Sequence, residues 1–325
     1  MLFIDRLIES IIQKKCPCAV GLDTLPEYAP AGIRKSCGAG ASRQETGGDS
    51  VKASAGQEAT CAEAVMRFNF AIIDAVYDVV PAVKPQLAYY ERLGYWGMYA
   101  FWETVAYARR KGLLVIADGK RGDIGPTASA YAEAFLGESD GAPGVGSADA
   151  LTVNPYLGED SVAPFIELCR SHGKGLFALV KTSNASSGDI QDLELADGRK
   201  LYDAVAALVE RWGEGLVGSY GYSSVGAVVG ATFPSQALEL RKAMRRSYFL
   251  VPGYGAQGGS AQDAASAFDQ SGLGAIVSAS RSILCAWSHP RWEGKYAQED
   301  FADAARAEAL RMKAEINAAI GAANS

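Results

Sequence analysis

The sequence predicts an α/β fold, a single (β/α)8 TIM barrel, and three observations predict it. Short apolar runs alternate with longer helical patterns, and this unit occurs eight times. The alternation has no obvious break in the middle of the chain. The 325 residues also suffice for one large barrel domain spanning residues 1–325. An open doubly wound sheet is the alternative architecture.

An extra helix is predicted before the first strand. The apolar residues of this segment recur at helical spacing, as expected for an amphipathic helix rather than a signal peptide. They are Phe3, Ile4, Leu7, Ile8, Ile11 and Ile12.

Eight runs are predicted as buried strands because each is short and apolar. They cover residues 18–23, 82–87, 113–118, 150–154, 175–180, 225–229, 248–252 and 275–278. The predicted helices cover residues 62–78, 90–111, 126–136, 161–172, 199–212, 234–244, 260–268 and 298–320.

Two segments interrupt this alternation. Residues 31–60 are rich in Gly, Ala and Ser, which predicts a flexible insertion in the first strand-to-helix connection. This insertion could be functional or a tolerated surface feature. Residues 184–198 are predicted as a polar loop after the fifth strand. Because such loops lie on the catalytic face of a barrel, this second segment has functional potential.

The composition excludes several classes of protein. The 31 Lys and Arg against 37 Asp and Glu give a net charge of −6, so no nucleic-acid partner is expected. No apolar run approaches the ~18 residues of a membrane helix. The two histidines and six dispersed cysteines favour neither a multi-histidine metal site nor a zinc set. We therefore expect a soluble, cytoplasmic protein.

The most informative motif is Asp118-x-Lys120-x-x-Asp123, at the end of the third predicted strand. Strand side chains alternate between faces, so Ile116, Asp118 and Lys120 should share one face. If that face points into the barrel, Asp118 and Lys120 stand at its carboxyl-terminal mouth and Asp123 lies beyond the strand. Flanking carboxylates favour the ammonium form of a lysine and orient it as a proton donor. A surface salt-bridge cluster is the alternative.

Two neighbouring strand ends also carry charges. Asp23 closes the first predicted strand, and Lys84 lies in the second. With Asp118 and Lys120, they place four charges of alternating sign at the ends of three consecutive strands. Because burying such groups is costly unless they pair, we interpret them as a catalytic charge network. A solvated rim is the alternative for each charge taken alone.

A glycine-rich segment, residues 251–260, follows the seventh predicted strand and contains G-x-G-x-x-G. A dinucleotide site would need an acidic residue about 20 residues further on. That region holds Arg281 and no acid. Loops after strands seven and eight of a barrel commonly bind phosphate, and Arg281 can add a bidentate contact. The alternative is a glycine-rich turn beside a surface arginine.

Together these segments resemble the orotidine 5′-phosphate decarboxylase family, particularly its longer bacterial form. The matching segments occur in the family's order across residues 18–285, at the expected strand ends. They are Val20-Gly-Leu-Asp23, Ala82-Val-Lys84-Pro-Gln, residues 118–127, Val180-Lys-Thr-Ser183-Asn, residues 251–259 and Ser278-Ala-Ser-Arg281. The long segment 31–60 and Pro126 depart from the family pattern, and neither removes a proposed functional group.

The resemblance implies decarboxylation of orotidine 5′-monophosphate to uridine 5′-monophosphate in de novo pyrimidine biosynthesis, with no cofactor and no metal. It implies that Lys120 protonates C6 of the pyrimidine and that Asp118 lies beside the substrate carboxylate. Lys84 would belong to the same charge network.

The resemblance also implies the binding residues. Asp23 and Thr127 would contact ribose hydroxyls, and Gln257 and Arg281 would hold the phosphate. Ser183 would contact the pyrimidine edge, although its neighbours Thr182 and Asn184 could do so instead. A homodimer is implied, with Asp123 and Thr127 contributed across the interface.

Three alternatives remain for the function. A magnesium-dependent sugar-phosphate decarboxylase or aldolase of the same superfamily shares the Asp118 motif but uses an added acidic ligand where this chain has Lys84. A nucleotide-binding or regulatory barrel without catalysis is the second. A Schiff-base aldolase using Lys120 or Lys84 is the third, and the flanking carboxylates argue against it because they favour the charged amine.

Overall fold

The computed structural model describes residues 1–38, 50–137, 147–255 and 257–323, without the side chains of residues 50–55. In this part of the chain, eight parallel strands pair in sequence order, and the eighth pairs with the first. The barrel prediction is therefore confirmed, and the open sheet is not formed. The strands are β1 (Cys18–Leu22), β2 (Ala82–Pro85), β3 (Leu114–Arg121), β4 (Ala150–Val153), β5 (Gly175–Lys181), β6 (Ser223–Val229), β7 (Ser247–Val251) and β8 (Ala275–Ala279).

Helices precede and follow these strands. The long ones are α1 (Phe3–Lys14), α3 (Ser50–Val76), α5 (Gly94–Arg110), α6 (Gly125–Leu136), α7 (Glu159–His172), α9 (Leu201–Trp212), α10 (Pro234–Ala243) and α13 (Phe301–Ala323). The short ones are α2 (Ala31–Ser36), α4 (Leu87–Glu91), α8 (Gly188–Gln191), α11 (Ala261–Ala265) and α12 (Arg281–Leu284). None of the described helices is long and apolar enough to cross a membrane.

The helix predicted over residues 90–111 is wrong in one respect, because the structure divides this region into α4 and α5. Gly94 begins α5 with a φ of +60°. This left-handed backbone is available to glycine without the steric cost that a Cβ would bring, so the chain turns here instead of continuing one helix.

The strands read as nearly continuous apolar runs because both of their faces are covered. Alternate side chains of β5 show the division. Phe177 packs inside the barrel, whereas Leu176 and Ala178 join the layer between strands and helices. The strand interior is thus a packed core, and polar side chains are left for the strand ends.

The predicted amphipathic helix is confirmed as α1, which covers the amino-terminal end of the barrel. Its apolar residues pack with inward-facing strand residues, and the Phe3 and Phe177 rings meet edge to face at 6.1 Å. The backbone N–H of Ile4 donates to the Ser224 hydroxyl near the start of β6, at 3.3 Å. This packing places the open mouth of the barrel at the carboxyl ends of the strands.

The two predicted interruptions have different outcomes. Both ends of the 31–60 segment are helical, in α2 and at the start of α3, and residues 39–49 lie outside the described residues. Flexibility of this insertion stays a prediction. The polar segment 184–198 contains α8 and a short 3-10 turn over Ala185–Ser187. Two of its residues, Asn184 and Gln191, line the cavity at the mouth of the barrel.

Candidate active site

A cavity of about 560 Å³ opens at the carboxyl ends of the strands. Every strand or the residues immediately after it contribute to its lining, which is the usual position for a site in this fold. Seven of the sequence-predicted residues line it: Asp23, Lys84, Asp118, Lys120, Ser183, Gln257 and Arg281. The barrel therefore brings together groups that are up to 258 residues apart in the chain (Asp23 to Arg281).

Asp118 lies at the centre of the charged side of the cavity and accepts four hydrogen bonds. Its Oδ1 accepts from Lys120 Nζ at 2.7 Å and from Thr152 Oγ1 at 2.8 Å. Its Oδ2 accepts from Lys84 Nζ at 2.8 Å and from Gln86 Nε2 at 3.0 Å. These bonds leave the carboxylate no freedom to rotate without losing partners.

The pKa values of the buried pair move in opposite directions. Burial alone would raise the pKa of Asp118, but Lys84 and Lys120 outweigh it and hold that pKa well below its ordinary value. Burial would lower the pKa of Lys84, but Asp118 and Asp23 outweigh it and raise that pKa. Both groups are therefore charged throughout the neutral pH range.

The two lysines differ in their access to the cavity. The Lys84 side chain is 6% exposed, whereas that of Lys120 is 44% exposed. Lys84 lies between two carboxylates, with Asp23 Oδ1 at 3.6 Å from its Nζ. A ligand in the cavity can reach the Lys120 ammonium, and Lys84 serves to hold the carboxylates.

The shared face of β3 is confirmed, but alternation alone does not produce it. Ile116 packs inside the barrel and Ala117 outside, as alternation requires. The register with β4 then shifts between Ala117 and Arg121, and Lys120 takes a φ of +47°. This kink in the strand, rather than a regular pleat, sets the direction of the Lys120 side chain.

The loop after β5 separates Ser183 from its two neighbours. The Thr182 hydroxyl donates to Asn184 Oδ1 at 2.7 Å and accepts from Gln191 Nε2 at 2.8 Å. Thr232 Oγ1 binds the Ser183 carbonyl at 3.0 Å. Among the described residues, none hydrogen-bonds the Ser183 hydroxyl, which is left available to a ligand.

Gly253 separates Ser183 from Gln257 at the far side of the cavity. Its φ is +98°, and a Cβ built on it would lie 3.2 Å from Ser183 Cβ and 3.3 Å from Gln257 Oε1. Arg281, at the start of α12, also lines the cavity. The cavity thus combines a charged lysine side with amide, hydroxyl and guanidinium donors from the loops after β5, β7 and β8.

Asp123 and Thr127 do not line this cavity. The backbone N–H of Ile124 donates to Asp123 Oδ1 at 2.8 Å, and Thr127 is exposed in the first turn of α6. Both lie at the rim of the barrel, beyond β3.

Sequence reasoning missed Gln86 and Thr152, the two uncharged partners of Asp118. Thr152 had a usable signal, because it is two residues after inward-facing Ala150 in an otherwise apolar strand. A polar residue at an inward strand position near the mouth is a site candidate. Gln86 had a similar signal, because it is two residues after Lys84 in the predicted strand over 82–87, although the observed β2 ends at Pro85.

Known proteins match this chain along nearly its whole length. An orotidine 5′-phosphate decarboxylase of Rhodopirellula baltica is 44% identical over 316 residues, 97% of this chain and 99% of the relative. One from Clostridium botulinum strain Loch Maree is 39% identical over 313 residues, 96% and 98% of the two chains. The solved structure of Leishmania donovani OMP decarboxylase has a TM-score of 0.71 at 30% identity, covering 99% of this chain and 100% of that one.

A family model matches as well. It is described as the orotidine 5′-phosphate decarboxylase / HUMPS family, and it matches residues 62–295. This range includes eight of the nine predicted site residues, all except Asp23. The chain belongs to the orotidine 5′-phosphate decarboxylase / HUMPS family.

Proposed function

We propose that this protein decarboxylates orotidine 5′-monophosphate to uridine 5′-monophosphate, in the cytoplasm and without a cofactor. The observation that carries the proposal is the Asp118 carboxylate, which holds two ammonium groups at the mouth of the barrel. Two curated relatives that match this chain along nearly their whole length are named orotidine 5′-phosphate decarboxylases.

In the proposed reaction, the bond between C6 and the carboxylate carbon breaks and its electron pair stays on C6. Carbon dioxide leaves, and Lys120 transfers a proton from Nζ to C6. The neutral amine then regains a proton from water. An ammonium already directed at the cavity stabilises the developing carbanion without reorganisation, which is the basis of electrostatic preorganisation.

Asp118 would lie beside the substrate carboxylate. Its four hydrogen bonds prevent it from turning away, so the two negative groups remain close until carbon dioxide departs. Lys84 keeps Asp118 ionised and also faces Asp23. This network would therefore work as one unit.

The remaining cavity residues would bind the rest of the nucleotide. Asp23 Oδ1 is buried with no hydrogen-bond partner among the described residues, and a ribose hydroxyl would supply the missing donor. The unengaged Ser183 hydroxyl would contact the pyrimidine edge. Gln257 and Arg281 would hold the phosphate, since a guanidinium binds phosphate oxygens in a bidentate manner.

Asp123 and Thr127 would act on the active site of a second copy in a homodimer. Their position at the rim, outside their own cavity, supports this assignment. The loops after β3, β4 and β5 also expose large apolar side chains, which a second copy would cover. They are Ile124, Tyr156, Leu157, Ile190 and Leu193.

The first experiment measures the loss of orotidine 5′-monophosphate absorbance in the presence of a chelator. The wild type and Lys120→Ala are compared with Lys242→Ala, which removes an exposed lysine of α10. We expect turnover by the wild type and the Lys242 variant, and a loss of about 10²–10⁴-fold in Lys120→Ala, the range of general acid catalysis.

Two results would contradict the proposal. Full activity of Lys120→Ala would remove Lys120 as the proton donor. Turnover that stops with the chelator would favour the magnesium-dependent alternative. The pairing of both cavity carboxylates with lysines is what favours the metal-free reaction.

A further inference from the structure

Thr152 contacts both members of the Asp118–Lys120 pair through one atom. It lies in β4 and is 1% exposed. Its Oγ1 is 2.8 Å from Asp118 Oδ1 and 2.9 Å from the backbone nitrogen of Lys120. No other described side chain hydrogen-bonds both the carboxylate of Asp118 and the backbone of Lys120.

The directions of these two hydrogen bonds follow from the groups involved. An ionised carboxylate only accepts, so the Thr152 hydroxyl proton points to Asp118. A backbone N–H only donates, so Lys120 donates to a lone pair of the same oxygen. The bond to Asp118 thus directs the hydroxyl proton away from Lys120, which leaves a lone pair free to accept the Lys120 N–H. A residue without a hydroxyl can form neither bond.

Lys120 requires such a contact because its backbone is strained. In the described part of the chain, Lys15 and Lys120 are the non-glycine residues with positive φ. Lys15 caps the end of α1, a usual place for this conformation. Lys120 instead lies within β3, where a left-handed residue persists only if its surroundings hold it.

We propose that Thr152 is a positioning residue for the decarboxylation proposed above, on which this inference rests. Its hydroxyl fixes the Asp118 carboxylate and the left-handed Lys120 backbone relative to each other. The Lys120 ammonium is therefore directed toward the cavity before substrate binds. Thr152 acts through these two residues, since its hydroxyl donates its proton in a hydrogen bond to Asp118.

The predicted kinetic effect is confined to the chemical step. Thr152→Val keeps the shape of the side chain and removes the hydroxyl. We expect kcat to fall about 10- to 100-fold, the effect of losing one hydrogen bond to a charged group. KM should change little, because Thr152 hydrogen-bonds Asp118 and Lys120 and not Gln257 or Arg281, the proposed phosphate-binding residues.

Two further variants separate positioning from a general structural effect. Thr152→Ser restores the hydroxyl and should recover most of kcat. Thr104→Val removes an equally buried hydroxyl from α5, away from the cavity, and should keep wild-type kcat. Thr152→Ala replaces the valine variant if thermal unfolding shows that the latter is unfolded at the assay temperature.

Hydrogen exchange of the Lys120 amide gives a readout that does not depend on turnover. We expect faster exchange in Thr152→Val than in the wild type, and slow exchange in Thr152→Ser, since the hydroxyl protects this N–H. If the wild type does not turn over substrate, the proposed function fails while exchange still tests the Thr152 contact. Unchanged kcat in Thr152→Val, or a loss that Thr152→Ser does not restore, would overturn the inference.

Discussion

A carboxylate as buried as that of Asp118 is stable only when its lost hydration is replaced. Two ammonium groups, one amide and one hydroxyl provide that replacement. Removing any one of these partners leaves a buried charge less well compensated, so the five groups act as a unit. Substitutions among them are therefore expected to be non-additive.

Gly253 shows how a residue without a side chain shapes the opposite side of the cavity. A Cβ at this position would be strained by the positive φ and would crowd the side chains of Ser183 and Gln257. Gly258, in the same loop, also has a positive φ, of +93°, but a Cβ there would meet nothing within 4 Å. A residue with a Cβ would therefore be strained at both positions, but only at 253 would its Cβ contact other side chains.

We predict that Gly253→Ala raises KM for orotidine 5′-monophosphate about tenfold. The added methyl group would displace Ser183 or Gln257 from its ligand-binding position. Steady-state kinetics measure the effect, with Gly258→Ala as the matched control for strain. An equal rise of KM in both variants would show that backbone strain, and not contact with the two side chains, is responsible.

At the scale of elements, the loop that carries Ser183 is anchored at the end of β5. The Lys181 side chain is fully buried, with Nζ 2.7 Å from Asp192 Oδ1 and 4.5 Å from the centre of the Phe233 ring. Asp192 is 40% exposed. The ion pair therefore closes the loop over residues 182–191 against the barrel, with one partner in the core and the other at the surface.

We predict an asymmetry between the two partners of this pair. Asp192→Asn should lower the free energy of unfolding by about 2 kcal/mol, because it leaves a buried ammonium without its carboxylate. Lys181→Met should lower it by about 1 kcal/mol, because water solvates the remaining carboxylate. Urea unfolding measures both values.

The double variant Lys181→Met with Asp192→Asn completes the test. Its loss of stability should be smaller than the sum of the two single losses, since neither charge remains. A larger loss for Lys181→Met than for Asp192→Asn would contradict the asymmetry.

At the scale of the whole molecule, the proposed homodimer would divide the active site between two barrels. Asp123 and Thr127 lie outside their own cavity, and the loops after β3, β4 and β5 expose large apolar side chains. A second copy would bury these apolar side chains, and Asp123 of each copy would then lie near the cavity of the other copy.

We predict that two inactive variants restore activity when mixed as heterodimers. Asp123→Asn removes the carboxylate that one subunit would contribute to the partner's active site. Arg281→Ala removes the proposed phosphate contact within a subunit's own barrel. In a heterodimer, one site combines an intact Arg281 with an intact Asp123. Mixing after mild denaturation and refolding should therefore recover turnover, measured by the same absorbance assay.

Each variant refolded alone serves as the control and should stay inactive. Absence of recovery in a mixture that sedimentation shows to be dimeric would contradict the shared site. A chain that sediments as a monomer while fully active would do the same.

Much of the architecture could be predicted from local patterns. Buried strands are short apolar runs, and α1 shows helical spacing of its apolar residues, so neither depends on distant contacts for its recognition. The division of residues 90–111 at Gly94 was missed because glycine permits a turn without requiring one. The helical ends of the 31–60 segment were missed because its Gly- and Ser-rich composition gives a weak helix signal.

The sequence by itself determined the barrel and the charged residues of the candidate site, because a charge at the end of an apolar strand is visible in the chain. Only the tertiary structure decided how these charges share partners. Thr152 and Gln86 meet Asp118 across neighbouring strands, and Thr152 also accepts from the backbone N–H of Lys120 at its left-handed turn. Hydrogen bonds between residues more than 30 positions apart depend on strand register and on a local kink, and neither has a signature in the order of residues.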